Sequence, residues 1–166
     1  MAIICRMLEL PAESASQLQA NAARLPDAIK SAKVYGDVYR YWHAIEYLLT
    51  RHSPTSSAAR WPNLGTPVSV GTSHIPAARL IHASEVAQLD RLVQGVEPEQ
   101  LVPHYDAAAL DAAAVYPGTW REWEETFDPL GQVLEHYSFL QFRARSCAEA
   151  GNSLLLVFEE LADGAV

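Results

Sequence analysis

Apolar and polar positions follow several rhythms along this chain, and each predicts an element. Residues 2–8, Ala-Ile-Ile-Cys-Arg-Met-Leu, form an apolar run stopped by Pro11, which predicts a strand. Ala15, Leu18, Ala22 and Leu25 share one helical face, so a helix is expected over 12–25, with Pro26 as its stop. After Gly36, the spacing of Val38, Tyr41, Trp42, Ile45, Leu48 and Leu49 is the stripe of an amphipathic helix over about 37–51. Residues 53–77 then lose all period and are rich in Pro, Gly, Ser and Thr, which predicts a long loop. Trp61 and Val68 are its candidate anchors to the core.

Beyond the loop, Arg79-Leu80-Ile81-His82 reads as a short strand. Ser84 is the expected N-cap of a helix with Val86, Leu89 and Val93 inward and Gly95 at its end. Short helices are expected near 98–102 and from an Asp106 cap through Ala114. Tyr116-Pro117-Gly118 reads as a turn, and Thr119 with Glu122 as a capping box. Asp128 and Pro129 open a last long helix that buries Leu130, Val133, Leu134, Tyr137, Leu140, Ala144 and Ala148 and stops at Gly151. The unbroken apolar run in 153–159 predicts a strand buried on both faces. The tail past Leu161 is expected to fray. The sum is an α+β fold: one helix-rich domain over 1–166 with a small mixed sheet of about three to four strands.

Several blocks carry a resemblance. They are Arg40-Tyr41-Trp42-His43-Ala44-Ile45-Glu46-Tyr47-Leu48-Leu49-Thr50, Pro76-Ala77-Ala78-Arg79-Leu80, Ser84-Glu85-Val86 and Val115-Tyr116-Pro117-Gly118-Thr119-Trp120, with a weaker match over Tyr137 to Val157. In order and spacing they resemble the YfbM-like family, a bacterial domain-of-unknown-function family. Two places depart from its pattern. Arg51 stands where the family usually has Gly, and the approach to Arg79 reads Gly71-Thr72-Ser73-His74-Ile75. The resemblance implies a compact mixed domain and supplies no catalytic residues.

Composition narrows the function. At 166 residues, 49% hydrophobic and 19% charged, the chain can bury a sizeable core without a metal or disulfide framework. A formal net charge of −8 repels phosphate backbones, so nucleic-acid partners are not expected. Cys5 and Cys147 follow no metal spacing and read as small buried hydrophobes of a reducing compartment, although a bridge between them stays open. The N-terminus has neither the basic nor the long apolar region of a signal peptide, and Leu154–Phe158 is too short to span a bilayer. A cytoplasmic location without membrane contact is expected.

Candidate chemistry is sparse. Trp42, His43, Arg79, Tyr116 and Trp120 have the residue types of a binding pocket: a guanidinium fork for an anion, an imidazole that titrates near neutrality, and flat aromatic walls. They could equally be core and ion-pair residues. The six histidines show no ligand spacing; a site from His74, His82 and His104 would need distant loops to converge, so neither metal nor cofactor is expected. Glu122, Glu124 and Glu125, like Glu159 and Glu160, suit a solvated face better than a glycosidase pair. No nucleophile elbow or phosphate loop is present. The expectation is a non-enzymatic bacterial binding or interaction protein with an aromatic surface around Trp61, Tyr116 and Trp120, of which a toxin-neutralising, immunity-like protein is one form. The alternative is a small-molecule-binding domain or enzyme built on His43, Arg79 and Tyr116.

Overall fold

The computed structural model describes residues 2–55, 57–69, 71 and 76–161, with only the backbone described at 34, 35 and 57–59. Strand β1 (Ala2–Leu10) leads into helices α1 (Ala12–Ala20) and α2 (Leu25–Ser31), then strand β2 (Lys33–Tyr39) and helix α3 (Trp42–His52). A 3-10 segment, Ser57–Asn63, precedes strands β3 (Thr66–Pro67) and β4 (Arg79–Ile81). Helices α4 (Ala83–Gln94), α5 (Ala107–Ala112), α6 (Trp120–Glu124) and α7 (Pro129–Glu149) follow, and strand β5 (Ser153–Leu161) closes the order.

The sheet has five strands in the order β2-β1-β5-β4-β3, and each neighbouring pair is antiparallel. This corrects the expectation of three to four strands in a mixed sheet. Two strands account for the difference. β2 lies where the apolar stripe suggested the start of a helix, so Val38 packs from a strand and Tyr41 from the turn before α3. β3 is a two-residue piece of the segment expected to be a loop, held by Val68 N–H donating to the Ala78 carbonyl at 2.8 Å beside its pairing with β4.

The central β1–β5 pair explains the unbroken apolar run. Met7 faces Leu156 and Leu8 faces Leu155 in register, so alternate residues serve opposite faces. Cys5, Met7, Leu154, Leu156 and Phe158 join α3, α4 and α7 in the larger core. Leu8, Leu10, Leu80, Leu155 and Val157 join Ala15 and Leu18 of α1 and Ala28 of α2 on the other face. Both faces are covered, as the run predicts.

Helix boundaries moved where a local signal had two readings. The expected helix over 12–25 ends at Ala20, because the Asn21 side chain accepts from Ala23 N–H at 3.0 Å and starts a separate turn. Pro26 opens α2 rather than stopping α1, since a proline in a first helical turn removes no helical hydrogen bond. His82, not Ser84, caps α4, and the Glu85 carboxylate accepts from His82 N–H at 3.0 Å. Thr119 makes no side-chain cap; the Asp111 carboxylate does so from α5, accepting from Trp120 N–H at 2.8 Å. At the far end of the core, the Tyr137 hydroxyl and the Gln141 amide of α7 donate to the Val93 and Val96 carbonyls at 2.8–3.0 Å. That contact closes the end of α4 against the longest helix.

Candidate functional site

Three of the five expected pocket residues come together. Trp42 and His43 start α3, where their rings lie nearly parallel with centroids 5.0 Å apart. Tyr116 stacks loosely on Trp42 at 6.3 Å and 18°. Four polar groups of this cluster are engaged internally: His43 Nδ1, the Tyr116 N–H and hydroxyl, and Trp42 Nε1. Tyr116 N–H donates to His43 Nδ1 at 3.0 Å, and Ile3 N–H donates to the Tyr116 hydroxyl at 2.6 Å. Trp42 Nε1 donates to the Ile3 carbonyl at 3.4 Å, and its ring meets Phe158 edge-on at 5.2 Å. The cluster therefore clamps the turn around the cis Tyr116–Pro117 peptide to α3 and to the start of β1.

The other two residues are used elsewhere. Arg79 is on the same sheet face as α3, because it pairs with Leu156, but its fork points at backbone. Its Nε donates to the Leu64 carbonyl at 2.8 Å and its Nη2 to the Gly65 carbonyl at 2.7 Å. Trp120 is fully buried, with its indole N–H donating to the Val115 carbonyl at 2.8 Å. It packs on Trp123 at 5.2 Å and Tyr41 at 6.5 Å. Trp61 is fully buried as well. The expected exposed aromatic surface around Trp61, Tyr116 and Trp120 is thus corrected: two of its three residues are core, since indoles bury more apolar area than other side chains here can offer. Of the six histidines, His82 caps α4, His104 meets His52 ring to ring at 5.4 Å, and His74 lies outside the described residues. Among the described residues no three His, Cys, Asp or Glu side chains gather as metal ligands.

Burial tunes the groups that remain. It holds His43 below its ordinary value of 6.5. Glu46, one turn along α3, is pushed up by burial and accepts from the Asn63 amide at 3.4 Å. Cys5 and Cys147 are free, buried thiols; burial raises both, Cys147 to about 12, so neither is a ready thiolate. The depressed His43 sets a pH dependence. The unfolded chain takes up a proton before the folded one, so stability is full above about pH 6.5 and falls as pH drops towards the folded-state value. Urea melts at about pH 7.5 and about pH 5.5 should show this loss, and His43→Asn, whose amide oxygen can accept from Tyr116 N–H, should remove it. An unchanged slope in that variant would assign the loss to another group. Glu46, raised by burial, acts in the opposite sense, so it cannot imitate the effect.

Sequence reading overlooked two neighbourhoods. A small cleft of about 160 Å³ between β2 and α7 is lined by Gly36, Asp37, Glu135, His136 and Phe139. Beside it, the Arg40 guanidinium lies 4.6 Å from the Tyr39 ring centre and 5.4 Å from that of Trp123, with Nη2 donating to the Tyr39 hydroxyl at 2.7 Å. No sequence spacing relates residues a hundred positions apart, and reading 37–51 as one helix concealed the strand that brings them together.

Fold and site together define a helix-rich α+β domain whose ring-and-histidine cluster braces a turn. The chain belongs to the family described as a domain of unknown function, DUF1877, whose model matches residues 1–157. Among solved structures it is similar to the crystal structure of YfbM from Escherichia coli, a protein of unknown function, with a TM-score of 0.72 at 16% identity over 94% of this chain and 99% of that one. At that identity the likeness extends to the fold. No curated protein matches the chain. Among the described residues no helix is long and apolar enough to cross a membrane.

Proposed function

We propose that this protein is a non-enzymatic interaction protein whose partner is another protein, with toxin neutralisation in the manner of an immunity protein as one form of that role. The observation that supports this reading is the internal engagement of the candidate pocket. His43 Nδ1, the Tyr116 hydroxyl, the Arg79 fork and the Trp120 indole are each hydrogen-bonded to backbone, so a substrate would have to displace structural bonds to use them. General acid–base chemistry instead needs a group within reach of the reacting proton. The buried free thiols suit a reducing compartment, and we place the protein in the bacterial cytoplasm on that ground.

A thermal-melt screen against metabolites and metal ions tests the reading. A ligand at 100 times its Kd would add about 2.7 kcal/mol, roughly 5–10 °C at this chain length. The expected result is no shift of that size. A shift lost in folded His43→Ala and Arg79→Ala variants would overturn the proposal in favour of a small-molecule site on His43, Arg79 and Tyr116.

A further inference from the structure

The chain's charge is not spread evenly. Nine of its 20 acidic residues but one of its 12 Lys and Arg fall within residues 97–135. That segment alone carries a formal −8, and the remainder of the chain is neutral. Its single cation, Arg121, is paired with Asp111 at 3.2 Å. Glu97, Glu99, Asp106, Glu122, Glu124, Glu125, Asp128 and Glu135 are all exposed. Three of the segment's carboxylates act on Tyr105, whose hydroxyl is raised first by burial and then by Glu124, Asp128 and Asp111. Negative charge concentrated in one stretch of chain raises the local concentration and encounter rate of a positive partner.

Charge alone would describe a solvated surface, but this segment also exposes apolar groups. Phe127 is 41% and Val102 42% exposed, two of the three large hydrophobic side chains that face solvent among the described residues. Phe127 packs on Trp123 at 5.4 Å, which in turn rests on Trp120 at 5.2 Å, so the exposed ring is seated on the core. Rigid aromatics on a fixed support are the usual anchors of protein interfaces. Nearby, an open cleft of about 400 Å³ is lined by Asp111, Gly118, Thr119, Arg121, Glu122 and Glu125.

From the coincidence of segregated negative charge, the seated Phe127 ring and the acidic cleft, we propose that α6 and the loop into α7 form a docking surface for a Lys- and Arg-rich protein segment. Glu122, Glu124 and Glu125 steer and orient the segment, and Phe127 supplies the contact that fixes it. The inference rests on the interaction-protein reading and gives it a place and a partner chemistry.

The test uses the full chain and a synthetic peptide alternating Arg and Leu, titrated with backbone NMR shifts as the readout. The expected shifts map to residues 121–128, with affinity falling as salt rises from about 50 to about 300 mM. The triple variant Glu122→Gln, Glu124→Gln, Glu125→Gln should weaken binding at least about tenfold. Phe127→Ala should weaken it by a similar factor with no change in charge. The variant Glu159→Gln, Glu160→Gln removes charge elsewhere and should leave affinity within about twofold. No binding, or equal losses from both charge variants, or an unaffected Phe127→Ala, would overturn the docking surface. Shifts confined to the Tyr116 turn would overturn it too, while leaving the interaction-protein reading in place.

Discussion

Replacing Arg143 by methionine should cost about 3–5 kcal/mol of folding stability. Arg143 is on α7 and Glu9 on β1, and their side chains are only 2% and 8% exposed where Nη2 meets Oε2 at 3.3 Å. Asn152 also donates its amide to Glu9 Oε1 at 2.5 Å. Methionine keeps most of the stem that packs in the core but removes the guanidinium, leaving a carboxylate in a site too dry to solvate it. The double variant Glu9→Leu, Arg143→Met removes both charges and should return to within about 1 kcal/mol of the parent, because a buried pair roughly breaks even against apolar side chains of similar volume. Urea denaturation of the parent and both variants measures this. A single variant that loses less than about 1 kcal/mol would mean that water reaches the Glu9 carboxylate.

Gly65→Ala is the second large effect, at about 3–5 kcal/mol. Gly65 has φ +72°, where a side chain is already strained, and an added Cβ would lie 2.2 Å from the Leu80 carbonyl oxygen and 2.8 Å from Ile81 N. Those are backbone atoms of β4, which pairs with β5 on one side and β3 on the other, so they cannot move aside. The Gly65 carbonyl also accepts from Arg79, and displacing it would open the fork that holds this loop to the sheet. Gly151→Ala is the control. Its φ is +64° with open space around it, so it should show the backbone strain alone, about 1–2 kcal/mol. Equal losses at the two glycines would mean that the Leu80 contact carries no cost. Thermal or urea melts of both variants distinguish these outcomes.

Legibility followed the range of the interactions. The stripe of α7 and the run of β5 were readable because each buries one continuous set of neighbours in the chain. β2 was not readable. Val38, Tyr41 and Trp42 fit a helical spacing, but the strand's pairing to Cys5, Arg6 and Leu8 of β1 overrides it, and Tyr39, at φ +48°, ends the strand before α3 begins. The candidate site was half legible. Trp42, His43 and Tyr116 do meet, as residue types that stack and bond. Arg79 reads as an anion fork in any sequence, and nothing in its neighbours says that two carbonyls from residues 64 and 65 will take it.

The sequence by itself determined the α+β class, the family, the two-sided burial of β5 and the net charge. Each is a property of local periodicity or of summed composition, which need no knowledge of which elements touch. Only the tertiary structure decided that the sheet has five antiparallel strands, that Trp61 and Trp120 are core rather than surface, and that His43 braces a turn. It also seated Phe127 on the core within the acidic segment. Those depend on contacts between residues distant in the chain, which are selected by how whole faces pack and by where buried polar groups find partners.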